Sequence, residues 1–255
     1  MKAKSTSVQS VRRAITLMRL LAKSGDGRRV SDLANDAGLA VSTTHRLLTT
    51  LEGEGFAQFD PERALWHVGR EAYSVGSAYI QKYNFIAPAL PFLRQLRDET
   101  RETVNLGILD RDELITVSQV ESREIVRAIS PPGGRVPAFC SGMGKAILAT
   151  WSDAEIADFA NRTGFHPMTP RSHRALDRLM EDIRQIREQG YSVDDEEHAA
   201  GLRCVASVVW SGTGDAICAI SVSALAARMN PDRVKSVGAK VRTVADALTA
   251  TLANV

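Results

Sequence analysis

The chain of 255 residues at a formal net charge of +2 has room for one large domain or two ordinary ones with buried cores. The charge is uneven: residues 1–70 hold eleven Lys/Arg against seven Asp/Glu, which suits phosphate contact at that end and leaves the remainder slightly acidic. Three cysteines, Cys140, Cys204 and Cys218, with no C-x-x-C pair, argue against a disulfide framework and a structural zinc. No apolar run is long enough to cross a bilayer and "MKAKSTSVQS" has no hydrophobic signal segment, so the expectation is a soluble, cytoplasmic protein with no cofactor and no metal.

In chain order, Val11, Ala14, Ile15, Met18, Leu21 and Ala22 recur on one helical face and offer a packing surface to the next two helices. The stretch "SDLANDAGLAVSTTHRLLTTLEGEGF" then carries two short amphipathic patterns. Val30, Leu33, Ala34 and Ala37 predict one helix, capped by Ser31 and ended by Gly38; Thr44, Leu47, Leu48 and Leu51 predict a second. Two short helices across a glycine turn describe a helix-turn-helix, or else an ordinary helix pair with a solvated face. At about 100° per residue, Ser42, Arg46 and Thr49 turn away from the apolar side, with Thr43 and His45 on its flanks. On a helix entering the major groove, such positions meet bases and phosphates. Arg46 reads a guanine edge or holds a phosphate; His45 donates to DNA or packs as a neutral ring. Thr44 is in the first turn but on the apolar side, where it contacts phosphate, caps or packs.

"GFAQFDPERALWHVG" predicts two short strands around Asp60-Pro61-Glu62-Arg63, a wing whose base covers the core and whose tip offers Arg63 to DNA. "EAYSVGSAYIQKY" predicts a linker helix over 70–84, with Tyr73, Tyr79, Ile80 and Tyr83 packed on a second copy or on the flanking domains. From residue 85 onward helices and strands alternate. "APALPFLRQLRDET" is a helix; "TVNLGILD", "ELITVSQVE" and "EIVRAIS" are strands, the last closed by "PPGG". Helices are predicted next over 142–151, 153–162 and 174–189. Strands recur at "GYSVD", "RCVASVVW" and "DAICAISVS", before a final helix over 231–252. Tight turns between strands and helices in blocks indicate an α+β domain on an antiparallel sheet, so the whole is an α/β two-domain chain divided at 8–69, 70–84 and 85–255.

Within that second domain "FCSGMGK" puts a strand end before a helix start. The backbone N–H groups of Ser141, Gly142 and Met143 suit a carboxylate there, unless the glycines serve close packing alone. Lys145 is expected at the surface. Asp194 suits a ligand hydroxyl or amide. Ser221 and Ser223, two apart on a strand, share a face to which a paired strand brings Cys204, and polar groups on an otherwise apolar sheet suit a small-molecule pocket. Cys218 falls on the opposite face, as core.

The order "STTHRLLTTLEGEGF", linker helix, "PAFCSGMGKAILA", "GYSVDDEEHAAGLRCVASVV" and "AISVSA" resembles the IclR family of bacterial transcriptional regulators over about residues 8–252. The resemblance implies a winged helix-turn-helix, a GAF-like effector-binding domain and assembly as dimers or pairs of dimers. It also implies that Cys204, Ser221 and Ser223 line an effector site. Val208 after Ser207, where many members have a small-Pro-Val sequence, and Cys140, where a small or basic residue is usual, depart from the pattern near that site, in which Cys140 is itself expected as an effector contact beside Ser141, Gly142 and Met143. The expected function is therefore a regulator, more readily a repressor, whose partners are double-stranded operator DNA, a small carboxylate-bearing metabolite and further copies of itself, with no membrane. Its rivals are a DNA-binding oligomeric scaffold without a ligand, and an enzyme using Cys140 or Cys204 with His198 as base, for which no nucleophile-elbow or metal motif is present.

Overall fold

A computed structural model describes residues 8–81, 83–128 and 131–253, without the side chains of Ile80 and Gln81. The expected packing of the Ile80 side chain and the last two residues of the strand expected over 124–130 thus lie outside the described residues. The chain divides into two compact units between Tyr83 and Asn84.

The first unit contains α1 (Gln9–Ala22), α2 (Val30–Ala37), α3 (Val41–Gly53), β1 (Ala57–Asp60), β2 (Leu65–Val68) and α4 (Arg70–Gln81). Its core is Leu17, Leu21, Leu33, Leu48, Ala57 and Trp66. Gly38 ends α2 in the left-handed conformation at φ 63°, which a glycine adopts without a Cβ penalty. The cap of α2 is Arg29, with no side-chain hydrogen bond, so Ser31 lies inside the first turn and does not cap. The core-facing side of α1 also differs from expectation. Leu17 and Leu21 point inward, whereas Val11 and Ile15 are 54% and 47% exposed on a second apolar stripe.

The wing is an antiparallel pair in which Phe59 faces Trp66 and Asp60 faces Leu65. Asp60 Oδ1 accepts the N–H groups of Glu62 and Arg63 and so tightens the turn. Arg28 exchanges both backbone hydrogen bonds with Trp66, adding a bridge to the wing's inner edge.

The second unit opens with α5 (Ile86–Thr100), β3 (Thr103–Asp110) and β4 (Glu113–Val120), followed by β5 (Arg135–Pro137), α6 (Gly142–Leu148), α7 (Asp153–Thr163) and α8 (Leu176–Gln189). It closes with β6 (Ser192–Asp195), β7 (Leu202–Trp210), β8 (Ala216–Leu225) and α9 (Pro231–Leu252). The strands form one antiparallel sheet in the order β5-β4-β3-β8-β7-β6. α5 and α9 pack against it, as does α6. Residues 124–128 form no strand: the segment bends, Ile125 is 95% exposed, and the third strand instead comes after the glycine turn, at β5. Helix α6 stops at Leu148, short of the expected 151, and α8 begins at Leu176.

Candidate functional site

The inner side of α3 is fixed by Thr44 and Leu48, both fully buried. Thr44 Oγ1 donates to the Ala40 carbonyl at 3.2 Å. Its assignment to DNA is therefore corrected: with no exposed atom and its hydroxyl used within the helix, Thr44 anchors α3 and touches no phosphate. Packing of Thr44 and Leu48 leaves Ser42, His45, Arg46 and Thr49 exposed and Thr43 half-buried on the opposite side. His45 also meets the edge of Trp66, with ring centroids 6.1 Å apart, which steadies the ring beside the wing. Arg63 is exposed at the wing's turn.

In the second unit the register assembles a second constellation. Asp194 on β6 is paired with Cys204 on β7, Cys204 with Ser223 on β8, and Ser221 with Asn105 on β3, while Asn105 is paired with Gln119 on β4. Directly paired residues share a sheet face, so five neighbouring strands contribute to one polar row. Its hydrogen bonds run in one direction. Gln119 Nε2 donates to Asn105 Oδ1 at 2.9 Å, Asn105 Nδ2 to Ser223 Oγ at 3.0 Å and more distantly to Ser221 Oγ at 3.4 Å, and Ser223 Oγ to Cys204 Sγ at 3.0 Å. The Cys204 thiol in turn meets the Asp194 carboxylate. Asp194 Oδ1 accepts the backbone N–H groups of Glu197 and His198 at 2.7 and 3.2 Å.

Burial, followed by the neighbouring Glu197 charge, pushes the Asp194 pKa up to about 7, against the opposing pull of Lys145 and the two amides. Burial, the Asp194 charge and the thiol's own bond to that carboxylate raise Cys204 far above the ordinary thiol range, so it is a protonated donor and no nucleophile at neutral pH. Burial lowers the His198 pKa.

The start of α6 stands over this row. A Cβ on Gly142 would lie 3.5–3.6 Å from Ala206 Cβ, the Asp194 amide and the Cys204 carbonyl. The other "FCSGMGK" side chains are committed elsewhere. Ser141 Oγ caps α6 by accepting from Gly144, Met143 fills the core with Leu114, Ala146 and Ala219, and the Cys140 thiol donates to the His166 carbonyl at 3.5 Å. Gly144 serves close packing, since a Cβ there would stand 2.3 Å from the Ala138 carbonyl oxygen. Cys218 is buried on the opposite face, paired with Val209.

Lys145 is the largest departure from expectation. It is fully buried, and its Nζ donates to Asp182 Oδ2 and Glu197 Oε1 at 2.6 Å each and to the Val193 carbonyl at 2.7 Å. Burial opposes its charge, but Glu197 and Asp182 outweigh that and raise its pKa.

Profiles of known families fit both units: that of the IclR helix-turn-helix domain matches residues 10–61, and that of the bacterial transcriptional regulator IclR C-terminal matches residues 77–250. The chain belongs to the IclR family of bacterial transcriptional regulators. It is 40% identical over 236 residues to the transcriptional repressor IclR of Escherichia coli, covering 92% of this chain and 86% of the other. The crystal structure of the Thermotoga maritima IclR shares its fold at a TM-score of 0.80 and 23% identity, covering 96% and 98% of the two chains. An IclR homolog from Microbacterium hydrocarbonoxydans, solved in complex with 4-hydroxybenzoate, does so at 0.78 and 18%, covering 97% and 100%.

Within this chain, sequence reasoning missed Asn105 and Gln119. They sit in strand patterns read only for their apolar alternation, yet Asn105, a lone amide within an apolar strand run, is itself a signal that a partner is required, whereas the half-buried Gln119 gives no such signal.

Proposed function

We propose that the chain is a cytoplasmic repressor that binds double-stranded operator DNA as a homodimer or pair of dimers and answers to a small, carboxylate-bearing metabolite. One observation carries the DNA reading. The buried Thr44 and Leu48 orient α3 so that Ser42, Thr43, His45, Arg46 and Thr49 form its outer face, with Arg63 at the tip of the wing. Guanidinium at Arg46 suits a guanine edge, and the hydroxyls suit phosphates. One such helix covers few base pairs, so specificity requires two copies about one helical turn of DNA apart.

The pairing surface we assign is the groove between α1 and α4, lined by Val11, Ile15, Met18, Val68 and Val75. It adjoins the linker aromatics, of which Tyr73 is exposed. The effector reading puts the metabolite at the polar row. Ser221, Ser223, Cys204 and Asp194 meet its hydrogen-bonding groups, and the Gly142 and Met143 amides at the start of α6 meet its carboxylate. Because the row is hydrogen-bonded within itself, an entering ligand must replace bonds it breaks, which favours a molecule with donors and acceptors over an apolar one. A regulator is favoured over a cysteine enzyme because the Cys204 thiol is held protonated.

Gel-shift titration against the DNA flanking the chain's own gene, with and without a panel of small carboxylic acids, tests the whole reading. Selective retardation reversed or altered by one acid supports it. Equal affinity for flanking and random DNA overturns it.

A further inference from the structure

At the Asp194 end of the polar row, His173, Asp182 and Glu197 bring three potential metal ligands together, with one ligand atom from each within 4.8 Å of the others. His173 precedes α8, Asp182 lies on it, and Glu197 comes after β6, so three separate segments converge. Glu197 is only 6% exposed, and its Oε2 is a buried oxygen with no hydrogen-bond partner. A buried carboxylate oxygen left without a donor is costly, and such an atom calls for a cation or donor. It faces His173 Nε2 at 3.7 Å, while that nitrogen lies 3.0 Å from Asp182 Oδ2.

From these observations we propose that His173, Asp182 and Glu197 form a divalent transition-metal site, with zinc as its natural occupant and one coordination position left open. Tetrahedral zinc with ligands at about 2.0–2.1 Å requires ligand–ligand edges of about 3.3–3.4 Å. The 3.0 and 3.7 Å edges from His173 Nε2 straddle that value, and the third edge, between the two carboxylates, lies within 4.8 Å. An imidazole with two carboxylates is a donor set that zinc accepts in sites with an open position. Lys145 fits the arrangement as a positioning residue. Its bonds to Asp182 Oδ2 and Glu197 Oε1 fix both carboxylates and leave the second Glu197 oxygen directed at His173. The charges agree as well: two carboxylates against one ammonium leave an excess negative charge that a divalent cation reverses. The site has an entry path, because His173, Asp182 and Glu197 all line one surface concavity. Glu197 also donates its backbone N–H to Asp194, so metal at this site bears on the end of the polar row.

Equilibrium dialysis of the full-length, tag-free chain, stripped of metal and titrated with Zn²⁺, tests the site, together with the visible spectrum of the Co²⁺-substituted protein. The expected result is one Zn²⁺ per chain, a tetrahedral Co²⁺ spectrum, and affinity lowered by about tenfold or more in His173→Ala and Asp182→Asn. His173→Ala keeps the Lys145 bonds intact, and circular dichroism checks that each variant is folded. Absence of stoichiometric Zn²⁺, or binding unchanged in folded His173→Ala, overturns the proposal. The readout requires neither operator DNA nor effector, so its failure leaves the regulator reading untouched.

Discussion

Substituting methionine for Lys145 shortens the side chain by one heavy atom and removes its charge. Three acceptors lose their donor at once: Asp182 Oδ2, Glu197 Oε1 and the Val193 carbonyl. Glu197 is then a buried carboxylate without its ammonium partner, and its other oxygen, 3.7 Å from the His173 ring, is already without a hydrogen bond. Breaking a buried ion pair from one side costs about 3–5 kcal/mol. At about 2–4 °C per kcal/mol for a domain of this size, the second unit should melt about 6–20 °C lower. The deficit should depend on pH. Burial works to raise the Asp182 pKa, but the His173 hydrogen bond and the Lys145 charge outweigh it and hold the carboxyl below its ordinary value. The stability this confers is present at neutral pH and is lost as the pH falls through the depressed value. Without Lys145 much of that contribution is already gone, so the gap between variant and wild type should be widest near neutrality and narrow in acid. Calorimetric melts of metal-free protein across that range read both quantities. A loss under about 1 kcal/mol, or a gap that widens in acid, would refute the reasoning.

Arg46→Ala should weaken operator binding by about 1–3 kcal/mol and relax preference at one base per half-site; gel shifts showing equal loss on random DNA would reduce it to a phosphate contact. Asp194 has its pKa raised to about 7, so the folded state holds a proton that the unfolded chain releases, and stability declines as the pH climbs toward 7. Asp194→Asn should therefore melt higher than wild type at about pH 8, with the difference closing toward about pH 5; a pH-independent difference contradicts this. Ser221→Ala with Ser223→Ala should lower affinity for the effector in calorimetry while the domain stays folded, and unchanged affinity would remove the pair from the site. Val11→Glu with Ile15→Glu should shift sedimentation toward monomer, whereas wild-type assembly would move the pairing surface elsewhere.

Much of this architecture was legible along the chain because it depends on local periodicity. The final helix begins and ends where its pattern does, at Pro231 and Leu252, and the two-residue spacing of Ser221 and Ser223 was enough to put them on one face, to which the register of β7 on β8 brings Cys204. What stayed hidden depends on distant partners. Lys145 looks like a surface residue until Asp182 and Glu197 arrive from later segments. The "EIVRA" part of the expected strand is not one, because the Val126 carbonyl accepts from Arg228 and the Ala128 carbonyl from Thr103, which takes backbone groups from any ladder. The α1 stripe misleads for another reason: the helix has two apolar sides, and periodicity does not say which one meets its own core.

The pairing of β3 with β8 bears on how the protein is made. Asn105 and Ser221 meet across 116 positions, so the centre of the effector sheet cannot close until nearly the whole chain has left the ribosome. The helical head reaches its core contacts within residues 17–66 and depends on none of this. A growing or prematurely terminated chain therefore exposes its DNA-reading surface well before any ligand has a place to bind. Truncation anywhere short of β8 should leave a head cut off from metabolite control, with whatever grip on DNA an unpaired copy retains.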